Sequence, residues 1–264
     1  MLTENSIKRT GSYKLLSIIV PTYNDRTKTL SRMIILDNYL ENKKIPYEIF
    51  LVDDGSREQD RIHQSELPES VKLLQLKVNK GKGAAVKTGM IQANGDCRIF
   101  TDTDLPYDLS AIMYAYHLII EKNLDFVAGD RTLFHSCYDV KLPWIRKIAS
   151  KFFSKIITLF VIGGIFDSQC GFKAFSGSLA EILFPLLRVN GFAFDVEIYY
   201  LLLKYNILIQ RIPVKLCTQE DSTVNFIRHG PGMIQDILLI PVRWYKKKYF
   251  SEQMISFKKN IYWE

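Results

Sequence analysis

The chain has 264 residues, of which 47% are hydrophobic and 24% charged, and its net charge is +7. This composition is typical of a globular protein, and the length suits one large α/β domain. The basic excess lies wholly in residues 141–264, which carry 17 Lys and Arg against 9 Asp and Glu, whereas residues 1–140 carry 18 against 19. This distribution favours a phosphate-bearing ligand or an anionic membrane surface as a partner of the second half.

Several classes of protein are disfavoured by what the sequence lacks. No helix-turn-helix, zinc-finger or RNP-type motif is found, so we expect no nucleic-acid partner. The four cysteines have no metal-binding spacing and are typical of reduced intracellular thiols. The N-terminus lacks the apolar segment of a signal peptide, and no charge-free apolar run of about 18 residues is found, so we expect no membrane-spanning helix.

Short apolar runs alternate with helical patterns along the chain. The runs that predict strands cover residues 15–20, 48–52, 71–76, 97–100, 124–128 and 207–214, with a further short strand ending at Phe175. The helical patterns cover residues 27–39, 84–92, 109–120, 145–160 and 191–205. This alternation predicts an α/β fold with a mostly parallel sheet and helices on both faces. In such a sheet, ligands bind beyond the carboxyl ends of the strands.

Asp102 and Asp104 directly follow the predicted strand 97–100, and Pro106 ends the segment. Two carboxylates at this spacing can share one divalent cation, and such hard oxygen ligands favour Mg²⁺ or Mn²⁺ bound together with the phosphates of a nucleotide. The alternative is an acidic turn that only closes the strand. Because polar motifs also follow the other predicted strands, the pattern as a whole favours the metal site.

Other loops at strand ends have residues suited to nucleotide binding. Tyr23 can lie against a base and Asp53 can accept a base N–H, although Asp53 or Asp54 is equally suited to cap a helix N-terminus. Lys80-Gly81-Lys82-Gly83 precedes a predicted helix. It resembles a phosphate cradle, since glycine allows close backbone approach and lysine adds charge. It is not a Walker A sequence.

Two segments of the second half combine aromatic and basic residues. The predicted helix 145–160 has a phenylalanine-rich face and a basic face, which suits either a helix packed on the core or one lying in a membrane interface. Arg146 and Ser150 are four residues apart on its polar face, so one phosphate can bridge them. Residues 241–250 place three consecutive lysines between aromatics, which suits a solvated helix end or an interfacial anchor.

Together these motifs resemble the family 2 glycosyltransferases of GT-A fold, and in particular the polyprenyl-phosphate glycosyltransferases. The matching segments appear in the family's order over residues 15–215 and are residues 20–24, 52–56, 79–83, 102–104, 129–131, 146 with 150, 167–173 and 194–197. Residues 79–83 and 167–173 are most similar to the dolichyl-phosphate β-glucosyltransferase branch. That similarity favours UDP-glucose over GDP-mannose as the donor.

The resemblance implies a role for each matched residue. The base would be held by Pro21, Tyr23 and Asp53, the nucleotide would lie near Lys80 and Lys82, and the metal on the diphosphate would be held by Asp102 and Asp104. The acceptor phosphate would be received by Arg131, Arg146 and Ser150. Mannosyl relatives often have a further metal-binding Gln where this chain has Pro106, so the rest of the coordination shell has no assignment.

The implied reaction is an inverting, metal-dependent transfer of a hexose from a nucleotide-diphosphate sugar to a polyprenyl phosphate. A phosphate monoester has a second pKa of about 6 and is largely ionised at neutral pH, so it needs no strong general base. If a glycan hydroxyl were the acceptor, Asp195 or Asp167 would be the base; Asp195 and Glu197 are also suited to favour the helix dipole. A non-catalytic nucleotide-sugar or membrane-surface binding module is a third hypothesis, which the intact Asp102/Asp104 pair disfavours.

We expect a catalytic domain over residues 1–215, with its core at 15–215, and a helical, basic and aromatic tail over residues 216–264 that contacts a membrane. The expected location is the cytoplasm, peripherally on the cytoplasmic face of a membrane. The polyprenol length and the oligomeric state have no signal in the sequence.

Overall fold

The computed structural model describes residues 14–138, 167–217 and 226–261. Its strands are β1 Leu16–Thr22, β2 Tyr47–Asp53, β3 Val71–Gln75, β4 Cys97–Thr101, β5 Phe126–Asp130, β6 Cys137–Tyr138, β7 Phe172–Ser176, β8 Gln210–Pro213 and β9 Lys215–Leu216. Its helices are α1 Arg26–Glu41, α2 Lys82–Gln92, α3 Ser110–Ile120, α4 Gly177–Leu183, α5 Phe194–Lys204, α6 Phe226–Tyr245 and α7 Glu252–Ile261. The predicted strands and helices of the described segments are therefore present, with ends that differ by a few residues.

Seven strands form one sheet in the order β3-β2-β1-β4-β7-β5-β8, and β6 pairs with β9 in a separate ribbon. In the seven-stranded sheet, β7 runs antiparallel to both of its neighbours, and the pairs that do not involve β7 are parallel. The prediction of a mostly parallel sheet is confirmed. The direction of β7 could not be predicted, because an apolar run indicates a strand without indicating which way it pairs.

Helices cover both faces of the sheet, as the sequence predicted. Along β1, Leu16, Ile18 and Val20 point into one apolar cluster together with residues of α1 and α3. Ile19 points into the opposite cluster with residues of α2, α4 and α5. This alternation follows from the two-residue period of a strand, which sends successive side chains to opposite faces.

The C-terminal helices pack onto the second of these clusters. Buried there, beside residues of β5, β7 and α5, are Ile237 and Ile240 of α6, Tyr249 of the connection between α6 and α7, and Met254 of α7. This part of the predicted tail is therefore joined to the apolar core of the α/β domain. Within the described residues, every helix is too short or too polar to cross a bilayer.

Candidate active site

The loops that follow β1, β2 and β4 are bonded to one another at the carboxyl edge of the sheet. The Thr103 hydroxyl, between the two predicted metal ligands, donates to the carbonyl oxygen of Pro21. The backbone N–H of Asn24 donates to the Ser56 hydroxyl at 2.8 Å, and Asn24 accepts from the backbone N–H of Arg57 at 2.9 Å. The structure therefore brings the predicted base loop, the aspartate loop and the metal loop to one edge.

Asp54 holds the glycine-rich loop that precedes α2. Its two carboxylate oxygens accept the backbone N–H groups of Lys80 at 2.8 Å and Gly81 at 2.7 Å. Gly81 has a φ of 101° and lies against the Asn190 carbonyl, where a Cβ would come within 2.6 Å. Because both lysines flank a backbone that is fixed in this way, the loop can present their charges to an anion without rearranging.

Asp102 lies between a lysine and a glycine. The Lys82 amine is 2.5 Å from the Asp102 carboxylate, and a Cβ at Gly171 would come 2.0 Å from the same carboxylate. Burial alone lowers the pKa of Lys82, but Asp102, Asp195 and Asp104 together raise it above its usual value. Lys82 is therefore a cation at neutral pH, placed beside both predicted metal ligands.

Asp195 is a buried carboxylate close to this group. Lys173, which is fully buried, donates to Asp195 at 2.7 Å and to the Cys170 carbonyl at 2.7 Å. The Lys173 amine also lies over the rings of Phe100 and Tyr199. Burial raises the pKa of Asp195, although Lys173 and Lys82 oppose that rise. A carboxylate perturbed in this way, in the first turn of α5 and near the charges of Lys82 and Asp102, is a typical feature of a functional site.

Arg131 is held by Asp167 in a two-pronged ion pair. Its guanidinium donates to the two Asp167 oxygens at 2.9 and 2.6 Å, and its backbone N–H donates to the same carboxylate at 2.7 Å. Burial raises the pKa of Asp167, but its hydrogen bonds with Arg131 and the charge of Arg131 outweigh this and leave the pKa lowered. Arg131 is nevertheless one-third exposed, so it can still contact an anion at the surface of the site.

One segment supports both halves of the site. The turn 167–171 begins with Asp167, which orients Arg131, and ends with Gly171, which contacts Asp102. Lys173 then reaches Asp195. The resemblance identified this segment, but the sequence contained no sign of which side chains it would contact.

The remaining predicted residues take different positions. Tyr23 is 44% exposed at the end of β1, and Lys80 is exposed beside the glycine loop. Asp53 is buried and accepts the backbone N–H of Ser56 at 2.9 Å. Arg146 and Ser150 lie outside the described residues, so their predicted contact with the acceptor phosphate stays a prediction.

Glu197, two residues after Asp195, lies away from this group. Its carboxylate is fully buried and accepts the backbone N–H groups of Arg188 and Val189 at 3.0 and 2.9 Å. It also accepts the hydroxyl of Tyr249. Glu197 therefore connects the segment before α5 to Tyr249, which follows α6, and its role is structural.

The residues at this edge fit a divalent cation shared with a ligand. Asp102 and Asp104 offer hard oxygen atoms, and the absence of a Cβ at Gly171 leaves room for the Asp102 carboxylate. Among the described residues, no group of three or more His, Cys, Asp or Glu side chains is arranged so that it could hold a metal ion by itself. Two carboxylates suit Mg²⁺ or Mn²⁺, which commonly complete their shells with phosphate oxygens and water.

A mostly parallel α/β sheet with paired carboxylates and fixed basic groups at its carboxyl edge is the arrangement expected of a glycosyltransferase of GT-A fold. The chain belongs to glycosyl transferase family 2, whose family model matches residues 17–183.

The chain is similar to dolichyl-phosphate β-glucosyltransferases over most of its length. It is 32% identical to that enzyme of Dictyostelium discoideum, over 87% of this chain and 74% of the relative. It is 31% identical to the Drosophila melanogaster enzyme, over 87% of this chain and 75% of the relative. These similarities confirm the predicted branch of the family.

Solved structures of the same fold are more distant in sequence. Mannosyl-3-phosphoglycerate synthase from Rubrobacter xylanophilus superposes with a TM-score of 0.64 at 13% identity, over 89% of this chain and 75% of that one. Glucosyl-3-phosphoglycerate synthase from Mycobacterium tuberculosis, in complex with Mn²⁺, UDP and glucosyl-3-phosphoglycerate, has a TM-score of 0.60 at 14% identity, over 87% and 79% of the two chains. They confirm the GT-A fold.

Proposed function

We propose that this glycosyltransferase transfers glucose from UDP-glucose to the phosphate of a polyprenyl phosphate, with inversion at the anomeric carbon. The proposal follows the activity named for its relatives. The choice of a phosphate over a hydroxyl acceptor depends on the burial and pairing of the two candidate bases. Asp195 is buried and paired with Lys173, and Asp167 is buried and paired with Arg131, which disfavours both as the base that a hydroxyl acceptor would need.

On the donor side, Lys82 and Lys80 would contact the diphosphate, and Tyr23 and Asp53 would lie near the base. Asp102 and Asp104 would hold Mg²⁺ or Mn²⁺, which as a Lewis acid supplies positive charge for the departing diphosphate. Lys82 adds a fixed cation beside these carboxylates. Because the loop around Lys80 and Gly81 is bonded to Asp54, it would be in position before the ligand arrives.

On the acceptor side, the chemical task is to bring a second anion close to the diphosphate. A phosphate monoester is largely ionised at neutral pH, since its second pKa is about 6, so its oxygen can attack the anomeric carbon without a base. Arg131 would offset the repulsion between the two anions, and Asp167 would hold its guanidinium in one orientation. Arg146 and Ser150 are proposed to share this role.

We propose that the enzyme acts at a membrane surface. A polyprenyl chain stays in the bilayer because each buried CH₂ contributes about 0.8 kcal/mol, so the enzyme must reach the headgroup plane. We propose peripheral attachment at the cytoplasmic face. The three exposed lysines that follow α6, Lys246, Lys247 and Lys248, support this proposal because basic residues are attracted to anionic lipid.

The test is a transfer assay with radiolabelled UDP-glucose and a short-chain polyprenyl phosphate in detergent, with Mn²⁺ present. We expect a lipid-linked glucose product. The matched control is the corresponding polyprenol, which lacks the phosphate and should give no product. Transfer to polyprenol or to an added glycan would overturn the acceptor assignment, and tight UDP-glucose binding without any turnover would favour a binding module instead.

A further inference from the structure

Helix α6 has an apolar face that the core does not use. One face, with Met233, Ile237 and Ile240, is buried. A second apolar face is formed by residues that recur every three or four positions along the helix, which are Ile234, Leu238, Val242 and Tyr245. These four side chains, called here the outer stripe, are between 42% and 79% exposed. A soluble surface helix normally places polar residues at such positions.

A rigid basic turn follows the outer stripe. Lys246, Lys247 and Lys248 are all exposed. Their backbone N–H groups donate to carbonyl oxygens of the last turn of α6 at 2.9 to 3.0 Å. The guanidinium of Arg188 donates to the Lys248 carbonyl at 3.1 and 3.2 Å. The three ammonium groups therefore extend from a backbone that is fixed in place, next to an exposed apolar surface.

A cavity of about 460 Å³ opens at the same corner, between α5, the end of α6 and the start of α7. Its largely apolar wall comprises Tyr205, Trp244, Tyr245, Phe250 and Ile255, and Lys204 and Lys247 complete the lining. Trp244 packs edge-on against Tyr200 and Tyr205, which keeps this wall in place. An apolar cavity lined partly by cations fits a molecule with a hydrocarbon part and an anionic group.

We propose that the outer stripe and the lysine turn form a docking surface for an anionic phospholipid bilayer, and that the cavity receives the apolar part of one anionic lipid. The stripe lies at the depth of the acyl boundary, and the lysines contact headgroup phosphates, as in interfacial helices. The proposal rests on the proposed function only for the expectation that the acceptor is held in a bilayer.

Charge favours a lipid surface over a second copy of the chain. Residues 226–261 contain 7 Lys and Arg against 2 Asp and Glu. In a two-fold dimer the same patch meets itself, so two surfaces of net positive charge would face each other and repel. An anionic bilayer instead supplies the complementary charge along the whole surface.

The outer stripe also begins close to the active edge. Asp236, within the same stretch of α6, lies 3.8 Å from the position that a Cβ would take at Gly191, and the chain reaches Asp195 four residues later. Docking along α6 would therefore hold the site beside the headgroup plane, where a polyprenyl phosphate presents its phosphate.

The test measures binding of the full chain to vesicles by flotation. One set of vesicles contains phosphatidylcholine alone, and the other contains equal parts of phosphatidylcholine and phosphatidylserine. We expect wild type to float with the anionic vesicles only. The triple variant K246Q/K247Q/K248Q should bind on the order of a hundredfold more weakly, and L238Q/V242Q should also lose most of its binding. The matched control is I34Q/I35Q, which changes two exposed apolar residues of α1 that are 49% and 46% exposed.

The outcomes separate this proposal from the proposed function. Transfer to a short-chain acceptor in detergent should be the same in all of these variants, because none of the changed residues lies at the active edge, and thermal melting should confirm that each variant is folded. Failure of wild type to bind anionic vesicles, or equal binding by the variants and wild type, would overturn the docking surface whatever the transfer assay gives. A dimer in gel filtration that L238Q/V242Q dissociates, without a change in vesicle binding, would assign the stripe to a second copy instead.

Discussion

The two edges of the same sheet hold their buried charges in different ways. At the amino edge, Glu48 accepts the Ser17 hydroxyl at 2.7 Å and the backbone N–H of Asn94 at 2.9 Å, besides its ion pair with Lys72. Arg98 donates to two backbone carbonyls, at 3.1 and 3.0 Å. These charges are satisfied largely by neutral groups of the fold itself.

At the carboxyl edge, the charges proposed to meet the phosphates and the metal are held by other charges. Lys82 faces Asp102, and Arg131 is bound by Asp167. Lys82, Asp102 and Arg131 remain between 22% and 33% exposed. An ion pair that is partly exposed can exchange one partner for a ligand of the same sign, whereas a charge bonded to backbone groups cannot. In this sheet, the charges proposed to contact ligands are therefore those that are partly exposed and paired with another charge.

The largest effect is expected at Asp104. We expect Asp104→Asn to lower kcat/KM for glucosyl transfer by about 10²–10³-fold, because a metal ligand contributes several kcal/mol to stabilising the leaving diphosphate. The melting temperature should not change, since Asp104 is partly exposed. Steady-state kinetics over a range of Mn²⁺ concentrations measures this, with the exposed Glu69→Gln at the amino edge as the control. A near-normal rate at saturating Mn²⁺ would contradict the metal assignment.

The opposite outcome is expected at the amino edge. Arg98→Met should lower the free energy of unfolding by about 2–4 kcal/mol, because it leaves the carbonyls of Met90 and Gly95 without their donor. The kcat of the folded enzyme should be unchanged. Denaturant unfolding measures this, and Glu181→Gln, which alters only the exposed partner of Arg98, should cost less than about 1 kcal/mol. A large loss of kcat in folded Arg98→Met would contradict a purely structural role for the charges at the amino edge.

A smaller effect is expected where the fold contacts the site. Gly171→Ala should weaken the apparent affinity for Mn²⁺ in the presence of UDP by about tenfold, since the new Cβ would come 2.0 Å from the Asp102 carboxylate and displace it. Titration calorimetry measures this, and the control is Gly232→Ala, where a Cβ would have no neighbour within 4 Å. Equal affinities in the two variants would remove Gly171 from the site.

The smallest effect concerns acid stability. The folded pKa of Asp167 lies below its unfolded value of about 4. Its contribution, on the order of 1 kcal/mol, is therefore present above pH 4 and is lost as the pH falls through the folded pKa. We expect the difference in melting temperature between wild type and Asp167→Asn to shrink below about pH 4.

Asp125 provides the matched control for this titration. Burial raises its pKa, so unfolding releases a proton and the contribution of Asp125 weakens as the pH rises above 4. Asp125→Asn should therefore change the pH dependence in the opposite direction. If both variants changed the pH dependence of the melting temperature in the same direction, the ion pair of Asp167 with Arg131 would not explain the acid sensitivity.

The sequence predicts the strands and the residues at their ends, because these features depend on residues close together in the chain. Apolar runs locate β1, β2, β4 and β5, and the polar residues that follow the strands place Asp102, Asp104 and Lys82 at one edge of the sheet. These predictions succeed because strand period and the direction of parallel strands are local properties with one spatial consequence.

Partners that are distant in the chain are not predictable in the same way. Arg131 and Asp167 are 36 residues apart, Lys173 and Asp195 are 22 apart, and Asp54 reaches backbone groups 26 and 27 residues away. A single sequence gives the charges but not the pairing. For that reason the sequence indicates only a helix cap for Asp54, although its carboxylate holds the loop that carries Lys80.

The hydrogen bonds that Asp54 accepts from the loop before α2 affect how fast the donor can bind. A loop that is already ordered loses little conformational entropy when a nucleotide arrives, and it needs no slow closing step. The backbone N–H groups of Lys80 and Gly81 should accordingly exchange slowly with solvent deuterium in the free enzyme, and UDP should change their exchange rates little. Association of the donor would then be governed by diffusion and charge rather than by folding of the loop.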